Sequence, residues 1–472
     1  MSLAHIAVFV LAALLYNWIA PARWRGWLLM IASVLAIYWL QPQTPTRQLD
    51  FFFPTATLVI AFMSWLFTRQ ERSLAREDWA ALGVMCGLVL LISSTRYLVP
   101  ELRLTSRPPD ILAVSIALTL IIGLNLALWR LLRSRPLLLS FSILVIVALF
   151  VILKFEPLAV WFSGILRAWQ GQDVSLATSA DLNWLGFSYI AFRLIHTLRD
   201  RQTGQLPDLT LREYLTYIIF FPTYTAGPID RAERFAPDYR DLPVLTASQA
   251  VVGLGRILIG LLKKFVIADS LALISLDATS AAQAVSAGGL WVLLYAYTFR
   301  LFFDFSGYTD IAIGIGILYG ITLPENFNRP YLKSSITAFW QSWHMTLSNW
   351  VRFYIFSPLS RWLLGQSKRP PLILVLLICH LATMIVIGLW HGITWTFLIW
   401  GLWHGLGLFI HKLWSDRTRR WYRGLQQRPK LWKGWTVAGV VLTFHFVVLG
   451  WVWFALPDAG LALAVLGGLF GL

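Results

Sequence analysis

Charged side chains are scarce in this chain. They make up 13% of its 472 residues, about half of what a soluble protein of that length carries. Cysteine is nearly absent: Cys86 and Cys379 both sit in apolar segments and offer neither a CxxC motif nor a disulfide framework. Gly/Ser linkers, low-complexity runs and soluble appendages are missing, so one membrane domain over 1–472 is the expected organisation. Short segments of alternating polarity, the mark of a membrane β-barrel, are missing too. The charge that is present is lopsided, with 39 Lys+Arg against 23 Asp+Glu and a net charge of +16. It falls in short loops between apolar runs, as the positive-inside rule expects, and argues against nucleic-acid binding.

What fills the chain is hydrophobic: 58% of residues are apolar and the mean hydropathy is +0.66. Windows of about 20 residues with few charges, the length that crosses a bilayer as helix, recur near 4–20, 26–41, 51–68, 79–93, 110–129, 136–153, 251–268, 288–305, 371–390, 391–411 and 435–456. The fold class expected is an all-α polytopic membrane protein. LAHIAVFVLAALLYNWIA lacks a basic leader and a small-residue cleavage site, so it reads as a retained helix. Loops 21–25, 69–78 and 130–136 together hold eight arginines, whereas loops 41–50 and 94–109 hold four. That bias puts the first set in the cytoplasm and the N-terminus outside. The stretch 412–433 holds eight Lys/Arg against Asp416 alone and reads as a basic cytoplasmic loop touching anionic lipid or an acidic partner.

From about 181 to 245 and from 306 to 358, Pro, Gly, Asn and paired charges interrupt the apolar runs. Broken helices at membrane depth survive only where protein or a water-filled cavity satisfies their backbone. The functional centre is therefore expected between these regions and the later histidines.

Each polar residue in an apolar run has a structural reading beside a chemical one. FFPTYTAGPIDRAERF (220–235) reads as a helix end meeting an interfacial segment. In RLFFDFSGYTDIAIGIGILYGITLPENFNRPYL (300–332), Asp304 and Asp310 sit among aromatics, with Arg300, Lys333 and nearby hydroxyls as candidate partners. Buried carboxylates there must be paired or hydrogen-bonded; a structural network and a substrate contact both stay open. FWQSWHMTLSNWVRFYIFSPL (339–359) sets His344 and Arg352 among tryptophans, a pattern that also marks an ordinary interfacial helix. His380, His391, His404 and His411 follow. GLWHG occurs twice, around His391 and His404, each time with a GxxxG spacing, Gly388/Gly392 and Gly401/Gly405, that lets helices approach closely. Structurally, the repeat reads as two tight crossings, each with a histidine donating to a backbone carbonyl. Chemically, a neutral imidazole is the usual general base near pH 7 and can take a proton from an alcohol while its oxygen attacks an activated acyl carbon. Facing histidines as haem ligands stay open. A zinc site would want carboxylate or more cysteine, and 371–405 offers only Cys379; no metal and no bound cofactor is expected. HKLWSD (411–416) fits the short H-x₄-D acyltransferase pattern but lies in the basic stretch.

Taken together, FFPTYTAGPI, GLGRILIGLLKKFVIAD, the 300–332 run, the 339–359 run and LWHGITWTFLIWGLWHG resemble the membrane-bound O-acyltransferases (MBOAT). The bacterial branch of alginate O-acetyltransferase and teichoic-acid D-alanyl transferase proteins is the part of the family they match. They stand in the family's order over roughly 180–412, flanked by N-terminal transmembrane helices (1–155) and C-terminal ones (434–472). The resemblance implies a ring of about ten to eleven transmembrane helices, plus broken or re-entrant ones, around a central funnel or tunnel. It implies His391 as the essential histidine and His344 as a second active-site residue, with fixed dipoles around it stabilising the oxyanion. Asn326, Asn328, Asp304, Asp310, Arg352, Trp343 and Trp390 become tunnel or substrate positions, and His404 a structural or supporting one. Where the family usually has Arg-Asp after W-x, this chain has Arg352 and then Phe353.

The activity so implied is transfer of an acyl group, most simply acetyl, from a cytoplasmic thioester to a hydroxyl outside. The donor would be acyl-CoA (acetyl-CoA) or a carrier protein, and the acceptor an exported polysaccharide or a secreted partner protein. The setting is a bacterial inner membrane. D-alanyl transfer to teichoic acid, and a transporter or channel without acyl chemistry, are the alternatives.

Overall fold

The computed structural model describes residues 1–71, 73–98, 104–131 and 135–472. Parts of loops 69–78, 94–109 and 130–136, which entered the charge-bias reading, thus lie outside the described residues. The described chain is helical, with no strand among the described residues. Seven of these helices are long and apolar enough to cross a membrane, and the protein is a polytopic α-helical membrane protein.

The chain divides into two compact units, Met1–Ile257 with Ile311–Leu323, and Leu258–Asp310 with Pro324–Leu472. The first opens on α1 (Leu3–Ile19), α2 (Ala22–Leu40), α3 (Leu49–Thr68), α4 (Arg76–Leu98), α5 (Ile111–Leu131), α6 (Arg135–Lys154) and α7 (Glu156–Trp169). It continues through α8 (Phe187–Thr203), α9 (Leu211–Ile219), α10 (Phe221–Tyr224), α11 (Ala232–Arg240) and most of α12 (Ala247–Leu261). The second holds α13 (Asp269–Ala272), α14 (Ala278–Gln283), most of α15 (Ala287–Leu318), α16 (Ile336–Trp340) and α17 (Met345–Val351). It ends with α18 (Ser357–Leu364), α19 (Leu372–His391), α20 (Trp395–Gln426), α21 (Pro429–Ala455) and α22 (Ala459–Gly468).

Crossing helices are fewer than apolar windows for local reasons. Window 4–20 makes the 17-residue α1. Window 251–268 runs from α12 into a π-helix, Leu262–Ala268. Window 391–411 enters α20, where His404, His411 and three tryptophans dilute the apolar run. The stretch read as a basic loop is itself helical, shared between the end of α20 and the start of α21. Edge-to-face pairs Trp421–Trp435 and Tyr422–Trp432, each at 5.0 Å, tie the two helices there.

In the first unit, FFPTYTAGPI corrects the interfacial reading: Phe220, Phe221, Thr223 and Tyr224 are buried. Arg193 on α8 makes that possible. Its side chain is 1% exposed and donates to the carbonyls of Tyr217 (3.1 Å), Ile218 (2.9 Å) and Thr223 (3.2 Å) and to the Thr223 hydroxyl. One guanidinium, with five donors in a fixed fork, so supplies the bonds that a broken helix leaves unmade. A second buried arginine, Arg167, grips Asp181 through two bonds of 2.5 and 3.0 Å, and Ser163 Oγ donates to the same carboxylate at 2.5 Å.

In the second unit, Gly307 of α15 lies against the π-helix so closely that a Cβ there would meet Gly260 O and Lys264 N at 2.8 Å. That approach lets Lys263 Nζ reach Asp310 at 2.6 Å and lets Lys264 Nζ bond Asp304. The sequence offers Arg300, Lys333 and nearby hydroxyls as partners; these two ion pairs use Lys263 and Lys264 instead. The wider turn of a π-helix brings two consecutive lysines against one helix, which 3.6-residue periodicity does not foresee.

Candidate functional site

His391 is the last residue of α19. Gly392 follows in an extended conformation, and the Thr394 hydroxyl caps α20 by accepting from Phe397 N at 3.4 Å. The hairpin is drawn tight by its glycines: a Cβ at Gly388 would lie 2.3 Å from Phe397 O, and one at Gly401 would lie 2.7 Å from Met384 O. Both GxxxG pairs therefore do the packing expected of them. The His391 ring packs on Trp390 (4.5 Å), Phe454 (4.7 Å), Phe397 (5.9 Å) and Trp400 (5.9 Å).

His344 stands at the N-cap of α17 in the left-handed region, φ 42° and ψ 54°. For a non-glycine residue that conformation costs of order 1–3 kcal/mol and persists only where neighbours enforce it. Here Met345 N donates to Asn326 O (2.9 Å), and Asn328 N donates to Ser342 O (3.0 Å). These two bonds clamp the LPENFN run against the turn that carries His344. The Asn326 side chain is fully buried, and its Oδ1 receives the Thr346 hydroxyl at 2.6 Å. The His344 ring lies edge-on to Phe305 (4.7 Å) and meets Trp390 at 6.2 Å.

The structure thus brings His344, Asn326, Trp390 and His391 into one chain of contacts, with the Trp390 indole touching both imidazoles. The other candidates are distributed differently. Trp343 faces away into an aromatic core with Phe327 (5.1 Å), Trp451 (5.3 Å), Tyr331 (5.5 Å) and Phe339 (5.6 Å). Asn328 is exposed and uses its backbone N–H. Arg352 is exposed where α17 passes into a π-helix, Arg352–Phe356. Asp304 and Asp310 form the lysine pairs described above. His404 is 0% exposed, ringed by Trp400 (4.8 Å), Trp340 (5.3 Å) and Phe446 (5.7 Å). Neither of its ring nitrogens has a hydrogen-bond partner among the described residues, so the backbone-carbonyl bond expected for it is not made. Thr346, Phe305 and Phe454 escaped sequence reasoning. Thr346 stands in the quoted WHMT run, but its partner is 20 residues away across a loop.

One group of possible metal ligands occurs among the described residues, His196, Asp200 and Glu233 in the first unit. Ala232 N donates to His196 Nε2 (3.0 Å), and Arg231 bonds both Asp200 (3.0 Å) and Glu233 (2.6 Å). With that lone pair used and a guanidinium between the carboxylates, the group fits an ion-pair network fastening α8 to the start of α11.

The model of the membrane-bound O-acyltransferase (MBOAT) family matches residues 138–453, a span that contains Asn326, His344, Trp390 and His391. The chain belongs to the membrane-bound O-acyltransferase family. Its relatives carry several acceptor names. A teichoic acid D-alanyltransferase of Streptococcus thermophilus is 36% identical over 293 residues, 59% of this chain and 69% of the relative. A peptidoglycan O-acetyltransferase of Helicobacter pylori is 37% identical over 262 residues, 55% of this chain and 47% of the relative. A protein named probable alginate O-acetylase AlgI, from Azotobacter vinelandii, is 36% identical over 290 residues, 61% of this chain and 53% of the relative. The chain thus spans about half the length of the latter two. As an MBOAT member it is an O-acyltransferase, an enzyme using an acyl donor.

Proposed function

We propose that this protein transfers an acetyl group from a cytoplasmic thioester to a hydroxyl of an exported polysaccharide or partner protein, with His391 as general base. The observation that carries the proposal is the pairing of His391 and His344 across Trp390, both within the family-matched span. In the step proposed, His391 takes the hydroxyl proton and the oxygen bonds to the thioester carbon. The C–S bond then breaks, and the imidazolium gives the proton to the departing thiolate, which returns His391 to its neutral form. The products are an ester and a free thiol. Positioned proton transfer of this kind is worth roughly 10²–10⁴-fold in rate. Phe397, Trp400 and Phe454 around His391 keep water from hydrolysing the thioester. Acetyl is favoured by the names of the acetyl-transferring relatives. A second reading, D-alanyl transfer from a carrier protein, is favoured by the 69% coverage of the streptococcal relative. The arginine bias of the loops supports a bacterial inner membrane with the N-terminus outside.

Purified protein in lipid nanodiscs tests this with two donors, acetyl-CoA and a D-alanyl carrier-protein thioester, each with and without a soluble oligosaccharide acceptor. Acetyl ester and free CoA are expected, both lost in His391→Ala. Transfer of D-alanine alone selects the second reading. Absence of transfer from either thioester overturns the proposal.

A further inference from the structure

We propose that Asn326 is a positioning residue that fixes the tautomer of His344, with the hydrogen on Nδ1 and Nε2 unprotonated. The assignment follows from which atoms can only donate. The Thr346 backbone N–H points at the Asn326 side chain, 3.4 Å from the atom facing it. A backbone N–H has no acceptor capacity, so that atom is the amide oxygen and not the amide nitrogen. The Thr346 hydroxyl, 2.6 Å from the same atom, donates to it as well. The amide nitrogen then faces the other way, toward Thr309 Oγ1 at 3.4 Å. His344 Nδ1 lies 3.3 Å from this same oxygen. Two acceptors do not bond each other, so Nδ1 carries the hydrogen, and in a neutral imidazole Nε2 is then the acceptor.

The backbone makes the arrangement stiff. Asn326 O holds Met345 N, and the left-handed conformation at His344 turns its side chain back toward Asn326. One asparagine so engages the residues on both sides of the turn, through its carbonyl and through its amide oxygen.

The consequence for chemistry rests on the acyl-transfer reading above. A neutral His344 with its hydrogen committed to Asn326 has no ring N–H left for a developing oxyanion, so any oxyanion stabilisation falls to the fixed dipoles around it and not to its own ring. Its Nε2 can accept. We therefore assign His344 the task of accepting a hydrogen bond from a hydroxyl of the acceptor substrate, orienting it while His391 takes the proton of the attacking group.

The direct test is ¹⁵N NMR of histidine-labelled protein in lipid bilayers, with the His344 signals assigned by their loss in His344→Gln. Hydrogen on Nδ1 and an unprotonated Nε2 are expected in the wild type, retained in Asn326→Asp and lost or mixed in Asn326→Ala. Hydrogen on Nε2 in the wild type, which needs no Asn326 variant to detect, overturns the assignment; so does an unchanged tautomer in Asn326→Ala. Turnover supplies the second readout. Asn326→Ala is expected to lower kcat by about 10²-fold, the low end for general acid–base effects, with little change in KM. Asn326→Asp recovers most of the rate and moves the acidic limb of the pH profile upward, because a carboxylate favours the imidazolium. Equal losses in the two variants, with no movement of the pH profile, overturn the positioning role. Full activity in His344→Gln with the tautomer as assigned removes His344 from the reaction and leaves the tautomer standing.

Discussion

Gly388→Ala places one methyl group where the α19–α20 hairpin has no room for it. The added Cβ would sit 2.3 Å from the carbonyl oxygen of Phe397, 3.2 Å from its carbon and 3.5 Å from Gly401 N. Carbon–oxygen contacts settle near 3.3–3.6 Å, so the helices must part by about 1 Å. The obstacle is backbone, which cannot rotate away, and overpacking of this kind costs about 1–3 kcal/mol, with the upper end expected. His391 lies three residues beyond Gly388 and touches Phe397, so the same displacement moves the proposed base. A 1 Å misplacement is worth about 10²-fold in rate. Gly424→Ala, in the same α20 helix, is the control. A Cβ there meets nothing within 4 Å, and alanine in a helix is favoured over glycine by about 1 kcal/mol. The two substitutions should therefore have opposite signs, with Gly401→Ala falling on the destabilised side. Thermal-denaturation midpoints of fluorescent-tagged protein in detergent, with acyl transfer assayed in parallel, read both effects. A Gly388→Ala protein as stable and as active as the wild type would refute the reasoning about this hairpin.

Other expectations follow from the same contacts. Arg193→Ala should cost more than about 3 kcal/mol, since several charge-assisted bonds are lost at once. Arg193→Lys should fail to restore it, because one ammonium cannot span carbonyls on both sides of the break; expression and melting midpoint check both. Burial alone would raise the pKa of Asp181, but hydrogen bonds from Arg167 and Ser163 outweigh it and hold the carboxyl below the usual range. That pair should therefore stabilise the fold above about pH 4 and lose its effect as pH falls through the depressed value. Arg167→Ala should cost about 3–5 kcal/mol at neutral pH, a deficit that shrinks on acidification as Asp181 protonates; melting curves against pH give the sign. His404→Leu should cost less than about 1.5 kcal/mol, as near-isosteric apolar exchanges do, and leave acyl transfer close to wild type, because no ring nitrogen loses a partner.

How much of this was legible in the sequence depends on the kind of contact. The motif order is what singled out His391 and His344 as the residues proposed to carry the chemistry, and the membrane class and the close packing at Gly388 and Gly401 could be read from local spacing. The partners of Asp304 and Asp310 could not, because the π-helix after α12 alters which face Lys263 and Lys264 present. The burial of FFPTYTAGPI was hidden for a similar reason: the residue that satisfies its carbonyls, Arg193, lies on another helix. Asn326 was visible as a residue, but its bond to Thr346 and its contact with His344 exist only once the 326–328 run is clamped to the 342–345 turn. The two GLWHG copies looked equivalent in sequence. Their neighbours separate them, since His391 lies against the indole shared with His344 while His404 is enclosed by Trp340, Trp400 and Phe446.

That separation gives the most direct test of the account. Acyl transfer from acetyl-CoA or a D-alanyl carrier thioester should be measured under single-turnover conditions for wild type, His391→Gln and His404→Gln in matched nanodiscs, each shown to be folded and inserted. The account predicts a loss of about 10²–10⁴-fold in His391→Gln and near-normal transfer in His404→Gln. Undiminished transfer by folded His391→Gln would contradict it.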